Sequence, residues 1–214
     1  MCFSATASFG AASVLLVLGA LSLRGARGPQ ELPFAAIPLL FGIQQLVEGV
    51  IWLTFGRDAP GLNAAMTHVY SFFSHVLWPV FIPAAVLLIE PPGRRRRTLA
   101  ALLALGLAVG AFLLGEMVDD PVLSQLSGGH VEYISPPHYL KTLSTFYLVS
   151  TTASLMLSSH DKVRWFGAAA LLSFALAYGI YTTWFVSVWC FFAALLSAIV
   201  CLHLRPHVML PRPA

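Results

Sequence analysis

Pro38-Leu39-Leu40-Phe41-Gly42-Ile43-Gln44-Gln45-Leu46-Val47-Glu48-Gly49-Val50-Ile51-Trp52-Leu53 is an apolar run interrupted by two amides and one carboxylate. It extends from Pro33 to Phe55 with no lysine or arginine. About 20 helical residues, rising about 1.5 Å each, cross the roughly 30 Å hydrocarbon core of a bilayer. Only helices and closed barrels satisfy their backbone groups there, and a barrel would show alternating segments of about 10 residues. The run is longer than that and does not alternate, so it reads as a transmembrane helix.

Six more segments share this character: residues 6–23, 63–89, 98–116, 138–157, 165–181 and 184–204. The fold class is therefore all-α, an integral membrane bundle of about seven helices in a single domain, 1–214. The whole chain is 58% hydrophobic and 10% charged. A soluble domain carries about 25% charged residues, enough to cover its surface in water. Gly25 to Gln30, Gly56 to Gly61 and Pro91-Pro92-Gly93 punctuate the first three connections. Met117 to Pro137 forms the longest loop, and Thr182-Thr183 the shortest, a tight antiparallel hairpin. Pro38, Pro79 and Pro83 lie within spans, where they kink helices. No internal repeat of the kind found in inverted-repeat transporters stands out.

With seven spans, Arg24, Arg27, Arg94, Arg95, Arg96, Arg97, Lys162, Arg164, Arg205 and Arg212 fall on one side, and only Arg57 and Lys141 on the other. Basic residues are retained on the cytoplasmic side. The N-terminus is then outside and the C-terminus cytoplasmic, in a multi-pass membrane protein. The Arg94–Arg97 run, which has no interleaved aromatics, suits anionic lipid and not nucleic acid. The first apolar stretch lacks the basic leader of a cleavable signal peptide.

This threading places polar residues mostly toward the outer side, where they suggest an outward-opening cavity. Glu48 is the leading candidate, because a carboxylate inside the slab costs about 2.5–3.5 kcal/mol on insertion scales. Gln44 and Gln45 lie one turn before it. His68, Ser71 and His75 recur at helical spacing and form one stripe; His75, the deeper histidine, is the second acid/base candidate beside Glu48. Cys190 and Cys2 fall on the same side. With Glu48 and His75 they make a set of thiol, imidazole and carboxylate ligands suited to zinc or copper. A disulfide between the two cysteines, or simple burial, is the alternative. Gln44, Gln45, Ser71, Tyr178 and Trp189 are candidate cofactor contacts. His130, Glu132 and His138 in the long loop read as solvated, with a lid as the alternative.

Ser71-x-x-x-His75 with His203-x-x-x-His207 faintly resembles the alkaline-ceramidase-like membrane zinc hydrolases. His203 and His75 fall at opposite depths, however, Pro206 interrupts the second pair, and the expected intramembrane Asp is missing. A broader resemblance is carried by Met1-Cys2-Phe3-Ser4-Ala5, by Pro38 to Gln45 with Glu48-Gly49 and Trp52, and by Val188-Trp189-Cys190-Phe191-Phe192-Ala193-Ala194. These stretches resemble an uncharacterised bacterial family of seven-helix membrane proteins opening with this Met-Cys-Phe-Ser-Ala. That resemblance implies the fold and a multi-pass place in the bacterial plasma (inner) membrane, and no activity.

Three functions remain open: a membrane-embedded metal- or cofactor-binding protein, with an enzyme among the possibilities; a transporter or receptor for a small molecule, using Glu48 and His75; and a structural partner whose polar groups only join helices. The partners are the lipid bilayer and a small-molecule or lipid substrate.

Overall fold

The structure, a computed structural model, describes residues 4–134 and 141–204. Seven helices follow one another: α1 (Ala5–Gly25), α2 (Leu32–Thr54), α3 (Pro60–Ile89), α4 (Arg94–Asp119), α5 (Lys141–Leu148, Val149–Ala153 and Ser154–Met156), α6 (Asp161–Ile180) and α7 (Phe185–Leu204). Six of them, all but α5, are long and apolar enough to cross a membrane. The start of the span expected at 138–157 lies outside the described residues.

Helices adjacent in sequence pack side by side, and α7 returns to pack on α1. α2 is the most buried of the long helices. The odd count leaves α1, α3, α5 and α7 ending at one level, with Arg24, Arg94–Arg97, Lys162 and Arg164 around it. This level is called the arginine end below. The arginines of the basic run are not in a connecting loop, as expected, but form the first turn of α4.

Close crossings use glycine where a side chain would collide. A Cβ on Gly19 of α1 would stand 2.5 Å from the Leu39 backbone nitrogen, and one on Gly106 of α4 only 1.8 Å from the Pro79 carbonyl oxygen. The core divides by level. Leu15, Phe34, Ile37, Phe41, Trp78, Ile82, Val86, Leu155 and Phe166 fill the lower and middle bundle. Ile51, Tyr70, Met117, Val122, Val131, Tyr133 and Cys190 fill the opposite end.

The long loop contains an element that the sequence reading left out. Strands β1 (Leu123–Ser127) and β2 (His130–Ile134) pair antiparallel, with Leu126 opposite Val131 and Ser127 opposite His130. Gly128 and Gly129 close the hairpin with φ of 56° and 78°, the left-handed pair a two-residue turn needs. Val131 and Tyr133 alternate into the core, so the fold carries a small sheet besides its helices. The hairpin caps the end opposite the arginines.

α3 and α5 each contain a π-helical stretch, Phe72–Leu77 and Val149–Ala153. The first has a local cause and a consequence. Trp78 donates its backbone N–H to the Phe73 carbonyl, five residues back. The next donor in that register would be Pro79, which has no N–H. The Ser74 carbonyl accepts instead from the Tyr147 hydroxyl of α5, at 2.7 Å. A proline in one helix thus creates the acceptor that ties it to another.

Candidate functional site

Buried polar groups meet where α2, α3 and α7 converge. Thr67, Tyr70, Ser71, Ser74, His75 and Trp78 make the inward stripe of α3, and all are buried. His68 is exposed, so the expected His68–Ser71–His75 stripe does not exist; Thr67 and Tyr70, on the neighbouring face, point inward instead.

On α2, Glu48, Gln44 and Gln45 have no exposed surface. Glu48 Oε1 accepts a hydrogen bond from Ser187 Oγ of α7 at 2.6 Å. Gln44 Oε1 accepts from Trp78 Nε1 at 2.8 Å, and Trp78 stacks on Phe41 with ring centroids 3.9 Å apart. The Cys190 side chain lies close to those of Tyr70, Gln44 and Glu48. Tyr70 stacks flat on Tyr133 of the hairpin, centroids 4.4 Å apart. Neither amide atom of Gln45 has a hydrogen-bond partner among the described residues.

His75 belongs to a second, adjoining group. Its Nδ1 lies 3.1 Å from the Ser71 carbonyl oxygen and 2.8 Å from Ser74 Oγ. Ser71 contributes this carbonyl and not its hydroxyl, which is buried without a hydrogen-bond partner among the described residues.

Ser74, His75, Tyr133, Ser144, Tyr147, Phe174, Phe185, Trp189 and Cys190 all line one cavity of about 340 Å³. Cys190 therefore stands between the Glu48 cluster and this space. Phe174, Phe185, Trp189 and Tyr147 form an aromatic wall, with centroids 5.0 Å apart for Phe174–Phe185 and 5.8 Å for Tyr147–Trp189. Tyr178, expected as a cofactor contact, is half exposed and packs behind this wall on Phe174. Trp189 is in the wall, its indole N–H donating to the Ala170 carbonyl at 3.3 Å.

The metal expectation fares differently. Among the described residues, no three of His, Cys, Asp and Glu gather closely enough to hold an ion. Glu48, His75 and Cys190 therefore make no three-ligand centre by themselves: Glu48 faces Ser187, while His75 turns Nδ1 back onto its own helix. Cys2, the fourth ligand expected, lies outside the described residues, as does any disulfide it could form with Cys190. His138 and His207 lie outside them too. His130 stacks on Trp184, centroids 4.5 Å apart, and Glu132 accepts from Gln125, so neither reaches the cavity. His203 lies at the arginine end against Phe34 and His160, far along α7 from Cys190.

Sequence reasoning missed Tyr70, and counted Tyr147 among the polar residues of the outer side without making it a site residue, because aromatics are common in any membrane protein. It also missed Glu90, which stands between the end of the span read as 63–89 and Pro91. Glu90 is buried at the arginine end, where its carboxyl accepts from the Ser159 backbone N–H at 2.9 Å and from Ser158 Oγ at 3.2 Å.

The sequence profile described as a family of unknown function (DUF6629) matches residues 1–213. The chain belongs to this family. The match covers both cavity-bearing halves of the bundle, the hairpin, and the glutamate and cysteine stretches together, so the site lies wholly within one family unit. No curated protein and no solved structure matches the chain.

Proposed function

We propose that this chain is a multi-pass protein of the bacterial inner membrane, hairpin outside and arginine end in the cytoplasm, that binds a small membrane-soluble molecule in the cavity beneath the hairpin. One observation carries the reading: the cavity joins a hydrogen-bonding floor, Ser74, His75 and Cys190, to an aromatic wall, Phe174, Phe185 and Trp189. Ligand sites are concave, mostly apolar, and furnished with a few convergent polar groups, within about 300–1,000 Å³. Two π-helical stretches at this level add support, since single π turns inside α-helices gather at functional sites. A protein that merely glued its helices together would have little use for so much unfilled space among polar groups.

The test is extraction. Purified protein is denatured, extracted with organic solvent and the extract analysed by mass spectrometry. The wild type releases one compound in near-stoichiometric amount. Ser144→Trp, which places an indole into the cavity from α5, releases none while keeping its helical circular dichroism. Identical extracts from the two proteins would sink the reading.

A further inference from the structure

The two halves of α5 are held differently. Toward the arginine end, the π-helical stretch Val149–Ala153 packs on α3, α4 and α6, and Ser154–Met156 packs on α3 and α6. Toward the hairpin, Lys141–Leu148 packs on α4. Leu143, Ser144 and Tyr147 of this upper segment line the cavity, facing Phe174 of α6 and Phe185 and Trp189 of α7. The upper segment is thus a cavity wall that leans on α4 and stands apart from the wall opposite.

A run of buried hydroxyls marks the boundary between the halves. Ser150, Thr151, Thr152 and Ser154 all turn back onto their own helix. Ser150 and Thr151 donate to the Tyr147 carbonyl, both at 2.9 Å. Thr152 donates to the Leu148 carbonyl at 2.7 Å, and Ser154 to the Thr151 carbonyl at 2.8 Å. Hydroxyls bonded in this way bend helices. In a membrane they also satisfy carbonyls that a widened turn takes away from their N–H partners. α5 can therefore open a turn here without stranding a backbone acceptor among apolar groups. A stretch of leucine and alanine has no such substitute.

A latch lies at the same boundary. The Tyr147 hydroxyl donates to the Ser74 carbonyl of α3 at 2.7 Å, the acceptor that Pro79 leaves open. The Tyr147 ring also meets Trp189 of α7 edge to face, with centroids 5.8 Å apart. One residue thus fastens the upper segment to α3 and touches both the cavity and its far wall.

We infer that the upper segment of α5 is a side door to the cavity. Residues 141–148 swing about the Val149–Ala153 hinge, away from α7, when the Tyr147–Ser74 bond lets go, and the bound molecule passes between α5 and the opposite wall. What passes rests on the binding reading above; the swing does not. Eight residues make about 12 Å of helix. A change of about 20° in the bend, the threshold of a sharp kink, moves the upper end by about 4 Å.

Distances between spin-label pairs, measured by pulsed electron resonance on the full-length protein in lipid nanodiscs, test the swing. Labels go on cysteines placed at exposed positions in a cysteine-free background: Val14→Cys on α1 with Phe146→Cys above the hinge, and Val14→Cys with Met156→Cys below it. The upper pair shows two distances about 4 Å apart, and the lower pair one. Tyr147→Phe shifts the upper pair to the longer distance. Thr151→Val with Thr152→Val, which keeps the side-chain shape and removes both hydroxyls, leaves the shorter alone. Passage is read by washout into excess empty liposomes. The double valine variant, whose two positions do not line this cavity, carries the same amount of extractable compound and releases it several-fold more slowly than the wild type. Size-exclusion profiles and circular dichroism check that each variant is folded. A single upper distance in both the wild type and Tyr147→Phe overturns the inference. So does a swing or a release rate unchanged in the double valine variant. The distance measurements need no compound, so failure of the door and failure of the binding reading are told apart.

Discussion

Glu48 and Glu90 are both buried carboxyl groups, and their neighbours give them different work. Glu90 receives a backbone N–H and a hydroxyl from the α5–α6 turn, so it pins that turn to the end of α3. Removing a partner of a buried, hydrogen-bonded charged group costs about 1.5–3 kcal/mol. Glu90→Ala should lower unfolding stability by that amount, read as a lower midpoint in denaturant titration, with ligand content per folded molecule unchanged. Glu48 receives the Ser187 hydroxyl and sits beside a thiol that borders the cavity. Ser187→Ala should cost about 1–3 kcal/mol by the same measurement. The sequence singled out Glu48 because an acid within an apolar run is expensive. It passed over Glu90 because that residue stands where a span ends, and acids are cheap at an interface. Tyr70 and Tyr147 carried no signal, since aromatic residues near helix ends occur in membrane proteins of every function.

At the scale of elements, the π stretch of α3 couples two helices through an absence, the missing N–H of Pro79. Tyr147→Phe leaves the Ser74 carbonyl without its donor and should cost about 1–3 kcal/mol. In a Pro79→Ala background an N–H is available to that carbonyl, and the same tyrosine change should cost less. A double-mutant cycle on unfolding free energies measures the difference. Additive costs would show that the proline and the tyrosine act independently. The hairpin offers a second test. A Cβ on Gly128 would lie 2.6 Å from the Trp184 ring, at a positive φ that side chains rarely adopt. Gly128→Val should loosen the hairpin from its seat, seen as faster amide hydrogen exchange over residues 123–134. The hairpin was partly legible: Gly128-Gly129 is a turn signal and Val131 and Tyr133 alternate. Strands of five residues inside a polar loop are too short to outweigh the loop reading. The π stretches were not legible, because one widened turn shifts hydrophobic periodicity by less than a residue.

For the whole molecule, the segment boundaries read from hydropathy agree closely with the long helices, because a long apolar run bounded by Gly, Pro and charged residues marks a helix whatever packs against it. The same physics hid the relation between cavity and network. Depth along a helix can be counted, but rotation about its axis depends on neighbours, which is why His68 was put on the stripe of Ser71 and His75, and Tyr178 among the cofactor contacts, although the first is exposed and the second half exposed. The orientation is testable. In a cysteine-free background, Asp58→Cys should be labelled by a membrane-impermeant maleimide added to intact cells, and Arg95→Cys only after the membrane is opened. The reverse pattern would invert the threading and move the cavity to the cytoplasmic leaflet.

α4 is 26 residues long, about 39 Å of helix, with arginines at positions 94–97 and acids at 116 and 119. The uncharged stretch between Arg97 and Glu116 measures about 28 Å, close to the thickness of a bilayer's oily interior. Charged at both termini and apolar between them, this helix acts as a depth gauge. Because Gly106 locks it against Pro79, any vertical slip of α4 would drag the π turn of α3 with it, and in the membrane reading proposed above the height at which His75 rides would follow the thickness of the lipid.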